Sequence, residues 1–331
     1  MKDLLKTSDL SAADLQTLLD LAAGFKADPL KAYGALTGKT VVLYFAKPST
    51  RTRLSFETAV VQLGGVPLSV STQDLQVGRG ETLEDTAKIV SRYAKAFVVR
   101  TFADDDLQLM AQAASVPVIN ALTDNHHPCQ SLADLLTLKE RWGTLAGKQL
   151  AWVGCGNNVL HSLMQGAALA GLNMTVATPP GYGADPDITA GAQALAAAHG
   201  ASITLTHDPR QAVYGADAVY TDAWVSMGDK EDGRAAQVAA LTPYRVTDAL
   251  LDYAQPDALF LHCLPAHRGD EVTAEVLDGP QSVVFDQAEN RLHTGQAVLY
   301  ALLNGLLTGA AGATESAYVP AMSLASSATV A

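Results

Sequence analysis

The chain has 331 residues, of which 48% are hydrophobic and 17% charged, so it can form two globular domains and is not a disordered polymer. Its formal net charge of −12 argues against a nucleic-acid surface, and any anion site must supply its own positive pocket. Three cysteines without a C-x-x-C pair exclude a disulfide scaffold and a zinc finger.

The first residues lack the apolar segment of a signal peptide. No uninterrupted apolar run approaches the length of about 18 residues that a membrane helix needs. We therefore expect a soluble, cytoplasmic protein.

Apolar runs of strand length alternate with segments of helical periodicity along most of the chain. The predicted strands are Thr40–Phe45, Val66–Val70, Ala96–Arg100, Pro117–Asn120, Lys148–Val153, Leu172–Ala177, Ala201–Leu205, Asp217–Asp222, Ala258–Leu261 and Ser282–Phe285. Helices are predicted between them, at Leu54–Leu63, Thr82–Tyr93, Gln130–Trp142, Val159–Ala170 and Ala184–Ala198. This alternation is typical of parallel sheets covered by helices, so we predict an α/β protein with two doubly wound parallel-sheet domains linked by helices.

The helix at Gln130–Trp142 is the natural boundary between the two halves. We predict a first domain over residues 1–140 and a second over 141–291. Residues 309–331 contain one charged residue, Glu315, and mostly small side chains, so we predict a flexible tail.

Two glycine-containing segments resemble nucleotide-binding loops. Gly34–Thr40 is one residue short of a Walker loop and runs into a strand, so we interpret it as an ordinary turn. Gly154-Cys155-Gly156 follows a strand and precedes a helix, but it lacks a third glycine and the acidic residue that would bind a ribose. A helix N-terminus with Asn157 and Asn158 remains, at a place where small molecules often bind.

The strongest local signal is the segment Ser49-Thr50-Arg51-Thr52-Arg53, between a predicted strand and a predicted helix. Hydroxyl groups, guanidinium groups and free amides of a helix start are the donors that a phosphate dianion needs. Residues two apart on a helix face different ways, so we expect Arg51 to meet the ligand and Arg53 to be structural.

Further polar groups follow other strands of the first half. His127 and Gln130 lie in a loop after a strand, where both could donate to one carbonyl oxygen, although a His before a Pro is more often a turn residue. Arg100 ends an apolar strand and would add a cation to the same edge.

In the second half, Asp222 and Ser226 could receive the ammonium and carboxylate groups of an amino acid, and Gly228 permits a mobile loop. Cys263 follows a strand; its spacing favours an inert buried thiol over a metal ligand. Arg291 would ordinarily be a surface charge at the start of the last helix.

Together these residues resemble the carbamoyltransferase family, and within it the members that act on ornithine. The resemblance covers residues 3–308 and is carried by four ordered motifs: STRTR at 49–53, HPCQ at 127–130, DAWVSMG at 222–228 and HCLPAHRG at 262–269. Relatives that act on aspartate lack the SMG segment.

The resemblance implies a role for each matching residue. Carbamoyl phosphate would be bound by Ser49, Thr50, Arg51, Thr52, Gln76, Arg100, His127, Gln130, Cys263, Leu264 and Arg291. Of these, Arg100, His127 and Cys263 would be catalytic. Ornithine would contact Asn158, Asp222, Ser226 and Met227. Gln76 would reach into the neighbouring subunit's site, which implies a homotrimer or a multiple of trimers, and a last helix at 292–308 would return to the first domain.

The implied reaction is carbamoyl transfer to the δ-amine of ornithine, a step of arginine metabolism that requires no metal and no cofactor. A carbamoyltransferase for acetylornithine or putrescine remains an alternative. So do two other classes, a dinucleotide-binding oxidoreductase and a silent carbamoyl-phosphate-binding regulator. Neither the direction of the reaction in the cell nor the assembly beyond a trimer follows from the sequence.

Overall fold

The computed structural model of the protein describes residues 1–76, 80–225 and 233–310. Within these ranges, no helix is both long and apolar enough to cross a membrane. The fold consists of two parallel sheets with helices packed on them, which confirms the predicted α/β class.

The first sheet has four parallel strands in the order β2-β1-β3-β4. These strands are β1 (Thr40–Phe45), β2 (Val66–Ser71), β3 (Ala96–Arg100) and β4 (Val118–Leu122). The helices of this half are α1 (Ala12–Ala27), α2 (Thr50–Gln62), α3 (Leu83–Tyr93), α4 (Asp104–Ala113) and α5 (Pro128–Trp142). The strands are short and, in β1 and β3, buried along nearly their whole length, as expected for parallel strands covered on both faces.

The second sheet has five parallel strands in the order β7-β6-β5-β8-β9. They are β5 (Gln149–Val153), β6 (Asn173–Ala177), β7 (Ile203–Thr206), β8 (Ala218–Thr221) and β9 (Leu259–His262). The remaining helices are α6 (Asn158–Leu169), α7 (Pro186–Ala198), α8 (Pro209–Val213), α9 (Arg234–Leu241), α10 (Asp248–Leu251), α11 (Ala274–Leu277) and α12 (Val284–Leu303).

Strand order determines where a ligand can bind. In each sheet the order in which successive strands are added reverses at one point. This point lies between β1 and β3 in the first sheet and between β5 and β8 in the second. A crevice opens at the carboxyl ends of the strands at such a reversal. The predicted site residues follow β1, β3 and β4 in one sheet and β5, β8 and β9 in the other, so both crevices contribute to one site.

The last helix returns to the first half. α12 packs against α1, α2 and α5, and the ring of Tyr300 meets that of Phe25 edge-on at 5.7 Å between centroids. Just beyond it, Thr308 and Gly309 donate backbone hydrogen bonds to the carboxylate of Asp14. Asp14 also forms a capping box at the start of α1 with Ser11.

Two predictions at this end of the chain need correction. Ser282–Phe285 is not a strand: Ser282 forms an isolated bridge to Phe260, and α12 begins at Val284. Arg291 therefore lies two turns inside a buried helix and does not open it. Of the predicted tail, Gly309 and Ala310 are hydrogen-bonded to the first half, and the residues after 310 lie outside the described ranges.

Candidate active site

A cavity of about 690 Å³ lies where the carboxyl ends of the two sheets meet. The predicted residues that line it are Ser49, Thr50, Arg51, Thr52, Arg100, His127, Gln130, Asn158, Asp222, Cys263, Leu264 and Arg291. Gln76 is exposed and does not line this cavity within one chain. Ser226 and Met227 lie outside the described residues.

The first wall of the cavity is the start of α2. The helix begins at Thr50, earlier than predicted, because the Ser49 side chain caps it by accepting from the backbone amide of Thr52 at 3.3 Å. The first-turn amides and the positive end of the helix dipole favour an anion at this point. Arg51 lines the cavity, whereas Arg53 is exposed and pairs with Glu57 at 2.9 Å, as predicted for a structural residue.

Two more guanidinium groups reach the same wall from the interior. Arg100 at the end of β3 is buried, and no partner for its Nε is found in the described part of the chain. Burial, followed by the charges of Arg291 and Arg51, lowers the pKa of Arg100 to about 10. Three cations close together form the local positive pocket that a chain of net charge −12 needs for an anion.

Arg291 connects the pocket to α5. Its Nη1 donates to the carbonyl oxygen Oε1 of Gln130 at 2.6 Å, and its Nη2 donates to Thr52 Oγ1 at 3.3 Å. Burial lowers the pKa of Arg291 from its ordinary value. An arginine that spacing alone marks as a surface charge is thus buried between α12, α5 and α2.

His127 stands at the N-terminus of α5, ahead of Pro128 at the first helical position. Burial and then the charges of Arg291, Arg100 and Arg51 push the pKa of its ring well below the ordinary value. The ring is therefore neutral at physiological pH, and it can donate one hydrogen bond without adding a fourth charge.

Gln130 differs from its prediction. We expected its amide nitrogen to donate to a carbonyl oxygen in the site. Instead, Nε2 donates to the buried Asp134 at 2.7 Å, and the carbonyl oxygen faces Arg291. Gln130 therefore presents its carbonyl oxygen to Arg291, and one of its two N–H groups is already used by Asp134.

The second half contributes a carboxylate and a thiol. Asp222, after β8, accepts from Cys263 Sγ at 2.9 Å and from Asn157 Nδ2 at 2.7 Å. Burial and then the Asp222 carboxylate raise the pKa of Cys263 well above its ordinary value, so the group is a thiol that donates. Asn158 donates to the carbonyl of Thr123 at 2.7 Å, which ties the start of α6 to the first half.

The buried pair of His262 and Glu271, which was not predicted from the sequence, supports the loop that carries Cys263. Leu264 adopts a left-handed backbone conformation, with φ 58°, and its amide donates to His262 Nδ1 at 2.8 Å. The proton of the ring is therefore on Nε2, which faces Glu271 Oε1 at 3.2 Å. His262 belonged to a quoted motif, but no spacing rule pairs it with Glu271.

Potential metal-ligand atoms of Asp222, His262 and Cys263 lie within 4.8 Å of one another. The thiol already donates to Asp222, and both ring nitrogens of His262 are hydrogen-bonded. These internal hydrogen bonds account for the cluster without an ion.

Comparison with known proteins agrees with this arrangement. The sequence model of the aspartate/ornithine carbamoyltransferase carbamoyl-P binding domain matches residues 2–140, and that of the Asp/Orn binding domain matches residues 146–302. An ornithine carbamoyltransferase of Carboxydothermus hydrogenoformans is 50% identical, over 91% of this chain and 97% of that protein. One from Bacillus subtilis is 49% identical, over 91% of this chain and 94% of the relative.

Solved structures give the same result. The ornithine carbamoyltransferase of Pyrococcus furiosus superimposes with a TM-score of 0.88 at 48% identity, covering 92% of this chain and 97% of that one. The anabolic enzyme of Campylobacter jejuni superimposes with a TM-score of 0.86 at 36% identity, covering 92% of this chain and all of the other. The chain belongs to the aspartate/ornithine carbamoyltransferase family.

Proposed function

We propose that this protein transfers the carbamoyl group of carbamoyl phosphate to the δ-amine of L-ornithine, giving L-citrulline and phosphate. The observation that carries the proposal is one cavity with two unlike walls. One wall offers Arg51, Arg100 and Arg291 to an anion, and the other offers Asp222 to an ammonium group. Family membership and relatives about 50% identical that are named for this activity support it.

Carbamoyl phosphate would bind to the first wall. Ser49, Thr50, Arg51 and Thr52 would hold the phosphate through hydroxyls, a guanidinium and first-turn amides. Arg100 would bridge the phosphate and the carbonyl oxygen, since its Nε has no partner among the described residues and is buried beside Arg51 and Arg291. His127 would donate to the carbonyl oxygen, and Gln130 and Leu264 would accept from the carbamoyl nitrogen.

Ornithine would bind to the second wall of the cavity, which carries Asp222 and Cys263. Asp222 would pair with the α-ammonium, and Asn158, with Ser226 and Met227 of the SMG segment, would hold the carboxylate. Cys263 would lie where the two substrates meet.

The chemistry follows from bringing the two substrates together. The neutral δ-amine attacks the carbamoyl carbon, and the negative charge that develops on the oxygen is stabilised by Thr52, Arg100 and His127. The tetrahedral centre then expels phosphate, which can take up the proton of the amine. Holding both reactants in one cavity supplies much of the acceleration, and no covalent intermediate is needed.

A dinucleotide-binding oxidoreductase receives no support from the loop after β5. The amide of Gly156 donates to Tyr182, and a Cβ at Gly156 would lie 2.3 Å from the backbone of Gly183 and Ala184. The chain therefore covers the point where a pyrophosphate would have to approach.

The amine substrate is the first prediction. Citrulline should form from carbamoyl phosphate with ornithine, and turnover with acetylornithine or putrescine should be at least about 100-fold lower, because each lacks a charged group that the second wall recognises. A colorimetric ureido assay with the three amines at equal concentration measures this. A preference for acetylornithine or putrescine, or no turnover with any amine, would refute the proposal.

Asp222→Asn is the second prediction. It should raise the ornithine KM by about 30-fold or more, because a charge pair in a shielded site is worth about 2 kcal/mol or more. Inorganic phosphate, which contacts only the first wall, should bind with unchanged affinity. Asp217→Asn is the matched control, since it removes the same charge near the opposite end of β8, where Asp217 pairs with Lys148. An equal loss of affinity for ornithine and for phosphate would show that Asp222 is not specific to the ornithine side of the cavity.

The active unit that we propose is a homotrimer in which Gln76 completes a neighbour's site. Large apolar side chains of α2 and of the edge strand β2 are uncovered in one chain: Leu54 is 58% exposed, Val61 53%, Val66 52% and Leu68 44%. Such a patch is typical of a subunit contact. An open groove of about 870 Å³ beside it shares Ser49 and Thr50 with the main cavity, so a neighbour seated there would reach the phosphate loop.

Hybrid trimers provide the third prediction. Gln76→Ala and Arg51→Ala proteins, each nearly inactive, should recover activity when their subunits are exchanged, because some sites then combine an intact Arg51 with a neighbour's intact Gln76. Random exchange at equal amounts gives about one quarter intact sites. Exchange verified by mass spectrometry without recovery would show that Gln76 does not act across subunits.

The remaining predictions from the sequence belong to the same proposal. A division into residues 1–140 with 292–308, and 141–291, is supported by the packing of α12 against α1, α2 and α5. A cytoplasmic location and a role in arginine biosynthesis stay predictions.

A further inference from the structure

One carboxylate lies behind the active site and touches no part of the cavity. Asp134 is completely buried on α5, one turn after Gln130. Its Oδ1 accepts from Gln130 Nε2 at 2.7 Å, from Gln287 Nε2 at 2.7 Å and from the Tyr220 hydroxyl at 3.3 Å. The mechanism proposed above does not use this residue.

The nitrogen and the oxygen of the Gln130 amide form hydrogen bonds to different partners on opposite sides. The nitrogen end faces Asp134, which when ionised can only accept, and the oxygen end faces Arg291, which can only donate. Rotating the amide by 180° would set oxygen against carboxylate and nitrogen against guanidinium, so both hydrogen bonds would be lost together. The orientation of Gln130 is therefore fixed from both sides.

This orientation matters because a carbonyl oxygen has two lone pairs. Arg291 uses one of them, and no described residue donates to the other, which can accept from a donor in the cavity. A carbamoyl group carries an –NH2 that can donate to it, whereas an acetyl group of nearly the same size carries a methyl that cannot. A site built to accept a substrate N–H discriminates strongly against an analogue without one.

We propose that Asp134 is a positioning residue that holds the carbonyl oxygen of Gln130 toward the cavity and so selects carbamoyl phosphate over acyl phosphates without an N–H. The inference rests on the proposed function, because it concerns how the first substrate is chosen. Asp134 acts only through Gln130.

Other contacts explain why the carboxylate is stable in that position. Gln287, which donates to Asp134, accepts from the backbone amide of His262 at 3.0 Å, next to Cys263. Tyr220 lies on β8 and its ring stacks on Trp152 of β5. Burial raises the pKa of Asp134 to about 7, while these donors oppose that rise, so experiments at pH 8 examine the ionised form.

The test compares two ligands that differ only in –NH2 and –CH3. For each variant, the KM for carbamoyl phosphate and the inhibition constant of acetyl phosphate are measured at pH 8 with saturating ornithine. Asp134→Asn should reduce the preference for carbamoyl phosphate by about 10- to 100-fold. The amide of the asparagine can donate as well as accept, so it no longer holds Gln130 in one orientation. Inhibition by inorganic phosphate should change little. Tyr220→Phe, which removes a different donor to Asp134, should retain the wild-type preference.

A second variant restores the arrangement in another way. In Gln130→Glu with Asp134→Asn, the new Asn donates to the new Glu, which still turns an acceptor toward Arg291 and the cavity. This double variant should regain most of the preference, and it serves as the test if Asp134→Asn alone does not fold.

The inference is overturned if Asp134→Asn keeps the wild-type preference, or if the double variant binds acetyl phosphate as well as carbamoyl phosphate. Failure of the proposed function would look different, since the wild-type protein would then form no citrulline at all.

Discussion

The site depends on keeping three guanidinium groups together in a cavity that is partly shielded from water. Arg51, Arg100 and Arg291 repel one another, and burial together with this repulsion lowers the pKa of Arg100. Such a cluster is favourable only when an anion neutralises it. The start of α2 adds a helix dipole of the same sign, so the first wall of the cavity is organised for a phosphate before a ligand arrives.

Hydrogen bonds between the halves keep this wall facing the second one. Asn158 holds the carbonyl of Thr123, and Ser162 accepts from the amide of His127 at 2.7 Å, so the start of α6 is fixed to the loop that carries His127. Asp134 joins α5, β8 and α12 through a single carboxylate. The cation pocket and the Asp222–Cys263 pair therefore meet with a defined spacing, which a reaction between two bound substrates requires.

Much of this arrangement was predictable from sequence because it is local. The bounds of β1 and β3 follow from apolar runs, and Ser11 with Asp14 marks the start of α1. Parallel strands put their carboxyl ends on one edge, so the loops after them were expected to converge.

The parts that were missed depend on long-range contacts. Arg291 reaches Gln130 across 161 residues, and Gln287 reaches Asp134 across 153. No periodicity or spacing encodes such a pair. Gln130 was assigned to the site for its position, but the direction of its amide is decided by Asp134 and Arg291, which the sequence does not place beside it. Ser282–Phe285 has the composition of a strand, but tertiary packing makes its second half the start of α12.

The most direct test of this account is the affinity of the pocket for a phosphate dianion. Isothermal titration with inorganic phosphate should show binding to the wild-type protein and a loss of about 30-fold or more in Arg51→Ala, the effect of truncating one partner of a shielded charge pair. Lys88→Ala removes the same charge from the exposed face of α3, where Lys88 pairs with Asp85, and should bind phosphate as the wild type does. Equal affinity in Arg51→Ala and Lys88→Ala would contradict the account, because phosphate binding would then not depend on a guanidinium of this pocket.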